Sequence, residues 1–135
     1  MPIEQPKVAE RSVSRMRVLV ADDSATVRTI IRRSLQALGV GETIEAADGQ
    51  QAVELFQQGG IDLVLTDWNM PGKTGVEVTR EIRSLDRKVP IIMVTTEAEK
   101  SRVLEAVAAG ASDYLIKPFM TEVLEQKLWR YAARA

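Results

Sequence analysis

Cysteine and histidine are both absent from the 135 residues. Without them there is no thiol nucleophile, no disulfide, no histidine-based triad and no zinc site of the usual nitrogen and sulfur kind. An excess of charge of one sign is also missing. The 18 Lys and Arg against 19 Asp and Glu leave a net charge of −1 and an isoelectric point near 5.6, which gives no electrostatic case for direct binding to nucleic acid. No apolar run approaches the roughly 18 residues that would span a membrane. Composition is otherwise that of a soluble globular chain, 45% hydrophobic and 27% charged, with room for one domain. Met1 to Met16 has no signal-peptide core and mixes charges with two prolines and two serines, so it is expected to be a mobile leader before a domain at 17–135. The missing disulfides fit a cytoplasmic protein.

The stretch around which the chain is organised is Ile61 to Gly72, IDLVLTDWNMPG. Six residues rich in branched aliphatics, preceded by Gly59-Gly60 and followed by Met70-Pro71-Gly72, predict a buried parallel strand. Such a strand carries Asp67 to the carboxyl edge of its sheet, where open α/β sheets bind ligands.

The same alternation runs along the chain. Arg17 to Ala21 predicts a strand that stops at Asp22-Asp23-Ser24, with Ser24 capping a helix whose apolar positions are Val27, Ile30, Ile31, Leu35 and Leu38, up to Gly39. A strand near Thr43 to Ala47 precedes a helix carrying Ala52, Val53, Leu55 and Phe56. Val76, Val78, Ile82 and Leu85 mark a third helix, and Ile91 to Thr95 an all-apolar strand. Glu97 to Ala109 predicts a fourth helix with Val103, Leu104 and Val107 inward. Ser112 to Lys117 predicts a fifth strand, and Thr121 caps a last helix with Val123, Leu124, Leu128 and Trp129. Five strand-helix units with short connections imply a parallel sheet covered by helices on both faces.

Chemistry gathers at the strand ends: Asp22 and Asp23, Asp67, Thr95 and Lys117. Singly, an Asp pair at a strand-helix junction is most often a helix cap, and a lone terminal Asp, Thr or Lys is most often solvated. Together, on one sheet edge, they form a site. Two like charges about 4 Å apart cost roughly 1 kcal/mol in water and about 4 kcal/mol at an effective dielectric near 20, so cations must balance the carboxylates. Lys117 supplies one, and an oxygen-only pocket suits Mg²⁺.

With VLVADDS, DWNMPG, MVTTEA and YLIKPF at those strand ends, the chain from Arg17 onward resembles the receiver domain of two-component response regulators, closest to the single-domain chemotaxis regulators. The resemblance implies a flavodoxin-like sheet of order 2-1-3-4-5. It implies Asp67 as phosphoacceptor and Asp22, Asp23, Asp67 and the Asn69 backbone carbonyl as ligands of Mg²⁺, for which Mn²⁺ can substitute. It also implies that Lys117 and Thr95 bind phosphoryl oxygens, with Thr95 and Tyr114 as switch residues, Asn69 and Glu97 tuning the phosphoryl lifetime, and a cis Lys117-Pro118 bond. Catalysis would be limited to self-phosphorylation and self-dephosphorylation. The partners implied are a histidine kinase and an output protein on a face of helix 4, strand 5 and helix 5 that includes Lys100 and Lys127, with the chain itself a monomer. A phosphate sink, a relay intermediate or a receiver cut from a larger regulator are the alternatives. Lys73-Thr74-Gly75 departs from the family, which often has an acidic residue before the glycine. Arg28, Arg32 and Arg33 form a basic face that is either solvated or partner-binding, and Trp68 either flanks the site or is buried elsewhere.

Overall fold

A computed structural model describes residues 13–96 and 100–132. The five aliphatic runs become β1 (Arg17–Ala21), β2 (Glu42–Ala46), β3 (Leu63–Thr66), β4 (Ile91–Thr95) and β5 (Asp113–Ile116). All pairs are parallel, in the order β2-β1-β3-β4-β5. The helices between and after them are α1 (Ala25–Ala37), α2 (Gly49–Gln57), α3 (Gly75–Leu85), α4 (Lys100–Ala109) and α5 (Thr121–Ala132).

Strand alternation divides the core into two faces. Val18, Val20, Leu63, Leu65, Ile92 and Val94 face α1 and α5, burying Ile31, Leu35, Leu124 and Leu128. Leu19, Ala21, Val64 and Ile91 face α2 and α3, with Val53, Phe56, Val78 and Ile82. Both β3 and β4 are buried along their whole length, as expected of inner strands covered on both sides. The predicted caps form: Val27 N–H donates to Ser24 Oγ at 3.2 Å, and Gly39 takes a φ of 89° just past α1, a conformation that costs a glycine little. At α3, Thr74 and Glu77 make a reciprocal capping box.

Several expectations are corrected. The leader does not extend to Met16, because Val13 and Met16 are 1% and 2% exposed within the α1/α5 core and lend carbonyls to Gly41 and Glu42. Residues 1–12 lie outside the described residues. Helix α4 turns Ala106 and Ala109 inward, while Leu104 and Val107 are 57% and 58% exposed. Ile30 and Leu85 also face out, and Thr121 is the first residue of α5 rather than its cap.

Candidate functional site

Register alone brings the acidic residues together. Ala21 of β1 pairs with Thr66 of β3, so the next residue on each strand, Asp22 and Asp67, leaves the sheet at the same level, and Asp67 N–H donates to the Ala21 carbonyl at 2.8 Å. Asp23 follows on the β1 loop, and Asp22, Asp23 and Asp67 each offer an oxygen within 4.8 Å of the others. Lys117, one residue past β5, reaches in from the side. Its Nζ lies 2.9 Å from Asp22 Oδ2 and 3.4 Å from Asp67 Oδ2. Thr95 ends β4, fully buried, and its carbonyl accepts from Lys117 N–H at 2.9 Å.

Asp22 and Asp67 are 2% and 9% exposed, whereas Asp23 faces solvent. Burial pushes the Asp67 carboxyl above its ordinary value; the Lys117 charge pulls it back and the Asp22 charge raises it again. Burial pulls the Lys117 ammonium down, but its hydrogen bond to Asp22 and the two carboxylate charges outweigh that and hold it above its usual range. Three carboxylates against one ammonium leave two negative charges uncompensated, on hard oxygen donors alone. That donor set fits a divalent cation of the Mg²⁺ or Mn²⁺ kind.

Backbone contacts fix the donors. Asp22 Oδ1 accepts Ser24 N–H at 2.8 Å, Asp67 Oδ1 accepts Trp68 N–H at 2.7 Å, and Asn69 is exposed two residues beyond. Glu97 lies outside the described residues. Tyr114 is half-buried on β5, and Lys117-Pro118 is cis. A cavity of about 440 Å³ sits at the opposite, amino edge, lined by Ile61, Asp62, Val89, Pro90 and Tyr131, and none of its lining residues belongs to the acidic cluster.

Arg28, Arg32 and Gly75 take supporting roles that the sequence does not announce. Arg28 is neither simply solvated nor open to a partner: its Nη1 donates to the Asp22 carbonyl at 2.7 Å and its Nε to Glu45 at 3.0 Å. Arg32 shares Glu45 at 3.3 Å, leaving Arg33 as the exposed remainder of that basic face. Alternation of Glu45 with apolar neighbours in β2 was the available signal. At Gly75 any Cβ would run into the Asp67 carbonyl oxygen, and its N–H donates to the Trp68 carbonyl at 2.8 Å, so only glycine lets α3 start against the Asp67 turn. Trp68 is buried, with its ring among Val76, Met93, Ala106 and Ala109.

Comparison with known proteins agrees with this geometry. The family described as response regulator receiver domain matches residues 18–129. The chemotaxis protein CheY of Pseudomonas aeruginosa is 42% identical over 115 residues, 84% of this chain and 93% of that protein. The structure of CheY4 from Vibrio cholerae superposes with a TM-score of 0.80 at 36% identity, over 86% of this chain and 98% of that one. The receiver domain of a sensor histidine kinase from Pseudomonas aeruginosa, solved with a magnesium ion coordinated in its active-site cleft, gives a TM-score of 0.81 at 34% identity, over 87% and 98%.

Proposed function

Since the chain belongs to the response regulator receiver domain family, we propose that it is a phosphorylation-controlled binding module of the chemotaxis type, accepting a phosphoryl group on Asp67 from a histidine kinase. The observation that carries this reading is the meeting of Asp22, Asp23 and Asp67 with Lys117 between two of them. In the proposed step an Asp67 carboxylate oxygen forms a bond to phosphorus as the P–N bond of a phosphohistidine breaks, the imidazole leaving with the bonding pair. Lys117 Nζ neutralises one phosphoryl oxygen and the Thr95 hydroxyl takes another. Asp22, Asp23, Asp67 and the Asn69 carbonyl would hold Mg²⁺, or Mn²⁺ in its place, which supplies the remaining positive charge.

A binding module is favoured over a phosphate sink by the surface beside the site. Leu104 and Val107 of α4, Ile116 of the edge strand β5, and Met120 and Val123 around the start of α5 are exposed, Met120 to 67%. These exposed apolar side chains support the reading that the α4-β5-α5 face is where an output protein would bind. Lys100 stands at its edge, while Lys127 is drawn into an ion pair with Asp113 at 2.8 Å and contributes less than expected. A monomer acting in the cytoplasm completes the proposal. The test is labelling with acetyl phosphate and Mg²⁺: wild type should gain one phosphoryl group per chain and Asp67→Asn none. Equal labelling of the two proteins would remove Asp67 as the acceptor.

A further inference from the structure

Helix α4 is held against the sheet in an unusual way. Its inward residues are Ala106 and Ala109, side chains too small to fill the space beneath a helix, and its larger apolar residues Leu104 and Val107 point outward. The space is filled instead by the Trp68 ring, which is 3% exposed and packs with Ala106, Ala109, Val76 of α3 and Met93 of β4, with Tyr114 against the same cluster. Trp68 directly follows Asp67, and its N–H is bonded to Asp67 Oδ1 at 2.7 Å. From the first turn of α4, the Arg102 guanidinium covers the ring with its carbon 5.1 Å from the centroid. That is within the range of a cation–π contact.

We propose that Arg102 is a positioning residue that clamps α4 onto the Trp68 ring, making Trp68 a second link from the Asp67 carboxylate to the α4 surface, parallel to Thr95 and Tyr114. It rests on the proposed phosphorylation of Asp67 only for its signalling half; the clamp itself exists without a phosphoryl group. A group added to Asp67 must rearrange the oxygens to which Trp68 N–H is bonded, and a movement of the residue carrying that N–H moves the ring on which α4 rests. Only Ala106 and Ala109 of α4 are buried, with Val103 half-buried, and the end of the helix is held by Arg83 Nε donating to the Gly110 carbonyl at 2.8 Å, so a shift of the Trp68 ring would act on the part of α4 before that anchor.

The test uses the full chain with Trp129→Phe, so that Trp68 is the sole tryptophan, and compares Arg102→Gln and Arg102→Lys in that background. Arg102 is exposed on α4, so neither change threatens folding. Hydrogen exchange of the α4 amides at 103–109 should rise about 2- to 5-fold in Arg102→Gln, the range an exposed cation–π contact implies, with α1 and α2 unchanged. Arg102→Lys, which keeps a cation, should restore most of the protection. On addition of beryllofluoride and Mg²⁺, the Trp68 emission change should be smaller in Arg102→Gln than in its parent, although acetyl phosphate labels both equally. Unchanged α4 exchange in Arg102→Gln overturns the clamp, and an undiminished emission response overturns the link. If the parent protein itself takes no label, the phosphorylation reading fails, while the exchange comparison still decides the clamp.

Discussion

At Asp67, stability and chemistry pull in opposite directions. The folded protein raises the carboxyl's pKa by burial, with the Lys117 charge opposing and the Asp22 charge adding. A raised carboxyl pKa stabilises the fold fully only below the unfolded value near 3.8 and loses that contribution as pH rises through the folded value. Ionised Asp67 is therefore a burden at neutral pH without metal. Asp67→Asn is expected to melt roughly 2–5 °C higher than wild type at pH 7 in metal-free buffer, with the gain shrinking toward pH 4. A lower melting temperature for the mutant would contradict the desolvation argument. Asn69 makes a separate residue-scale case. It is exposed two residues past Asp67, where on the proposed function its small polar side chain would leave an attacking water a path to the phosphoryl group. Asn69→Met should lengthen the half-life of phosphorylated protein in Mg²⁺ by several-fold, and an unaltered half-life would show that water enters elsewhere.

Among the elements, α5 is tied to β5 through one carboxylate. Asp113 at the start of β5 binds Lys127 Nζ at 2.8 Å, Arg130 Nη1 at 3.0 Å and the Tyr131 hydroxyl at 3.0 Å. Burial pushes the Asp113 carboxyl up, but the Lys127 bond, the Tyr114 N–H and the Tyr131 hydroxyl together bring it below its ordinary value. A lowered carboxyl pKa gives stability that is present above the unfolded value near 3.8 and lost as pH falls through the folded one. Asp113→Asn should then cost about 1–3 kcal/mol in urea unfolding at pH 7, and the difference from wild type should vanish at strongly acid pH. An equal cost at both pH values would mean that shape, not charge, holds α5. The sequence makes the strands legible because β3 and β4 are apolar on both faces and end abruptly in polar residues. It misleads at α4 for a physical reason: period 3.6 finds the larger apolar side chains, but Leu104 and Val107 form an outward patch while alanines lie under a ring contributed from β3's end. Val13 and Met16 escaped notice because two apolar residues in a polar stretch carry no periodicity, yet both fill the end of the α1/α5 core.

For the molecule as a whole, the proposed function requires a phosphoryl group at the carboxyl edge to alter a face made by α4, β5 and α5. The acidic cluster was legible because parallel strands end at one edge, so adjacency follows from topology; the packing that links it to the face was not, since Trp68 alone gives no sign of which helix it supports. Register places the two residues of the proposed switch. Met93 pairs with Tyr114 and Thr95 with Ile116, so alternation sets Thr95 and Tyr114 on the same side of the sheet, with Tyr114 half-buried against the cluster that seats α4. A Thr95 hydroxyl drawn toward a phosphoryl oxygen would vacate room that the Tyr114 ring can enter, reshaping the surface around Leu104, Ile116 and Met120. A few kcal/mol of difference between the two arrangements suffices to make a minor population dominant. Thr95→Ala keeps Asp22, Asp23, Asp67 and Lys117, so acetyl phosphate labelling should persist within about an order of magnitude, a barrier change under roughly 1.4 kcal/mol. The methyl resonances of Leu104, Ile116 and Met120, followed by NMR as beryllofluoride and Mg²⁺ are added, should shift in wild type and move by less than half as much in Thr95→Ala. Shifts of equal size in the two proteins would show that the signal leaves Asp67 without passing through Thr95, and would leave Trp68 as the connection from Asp67 to α4.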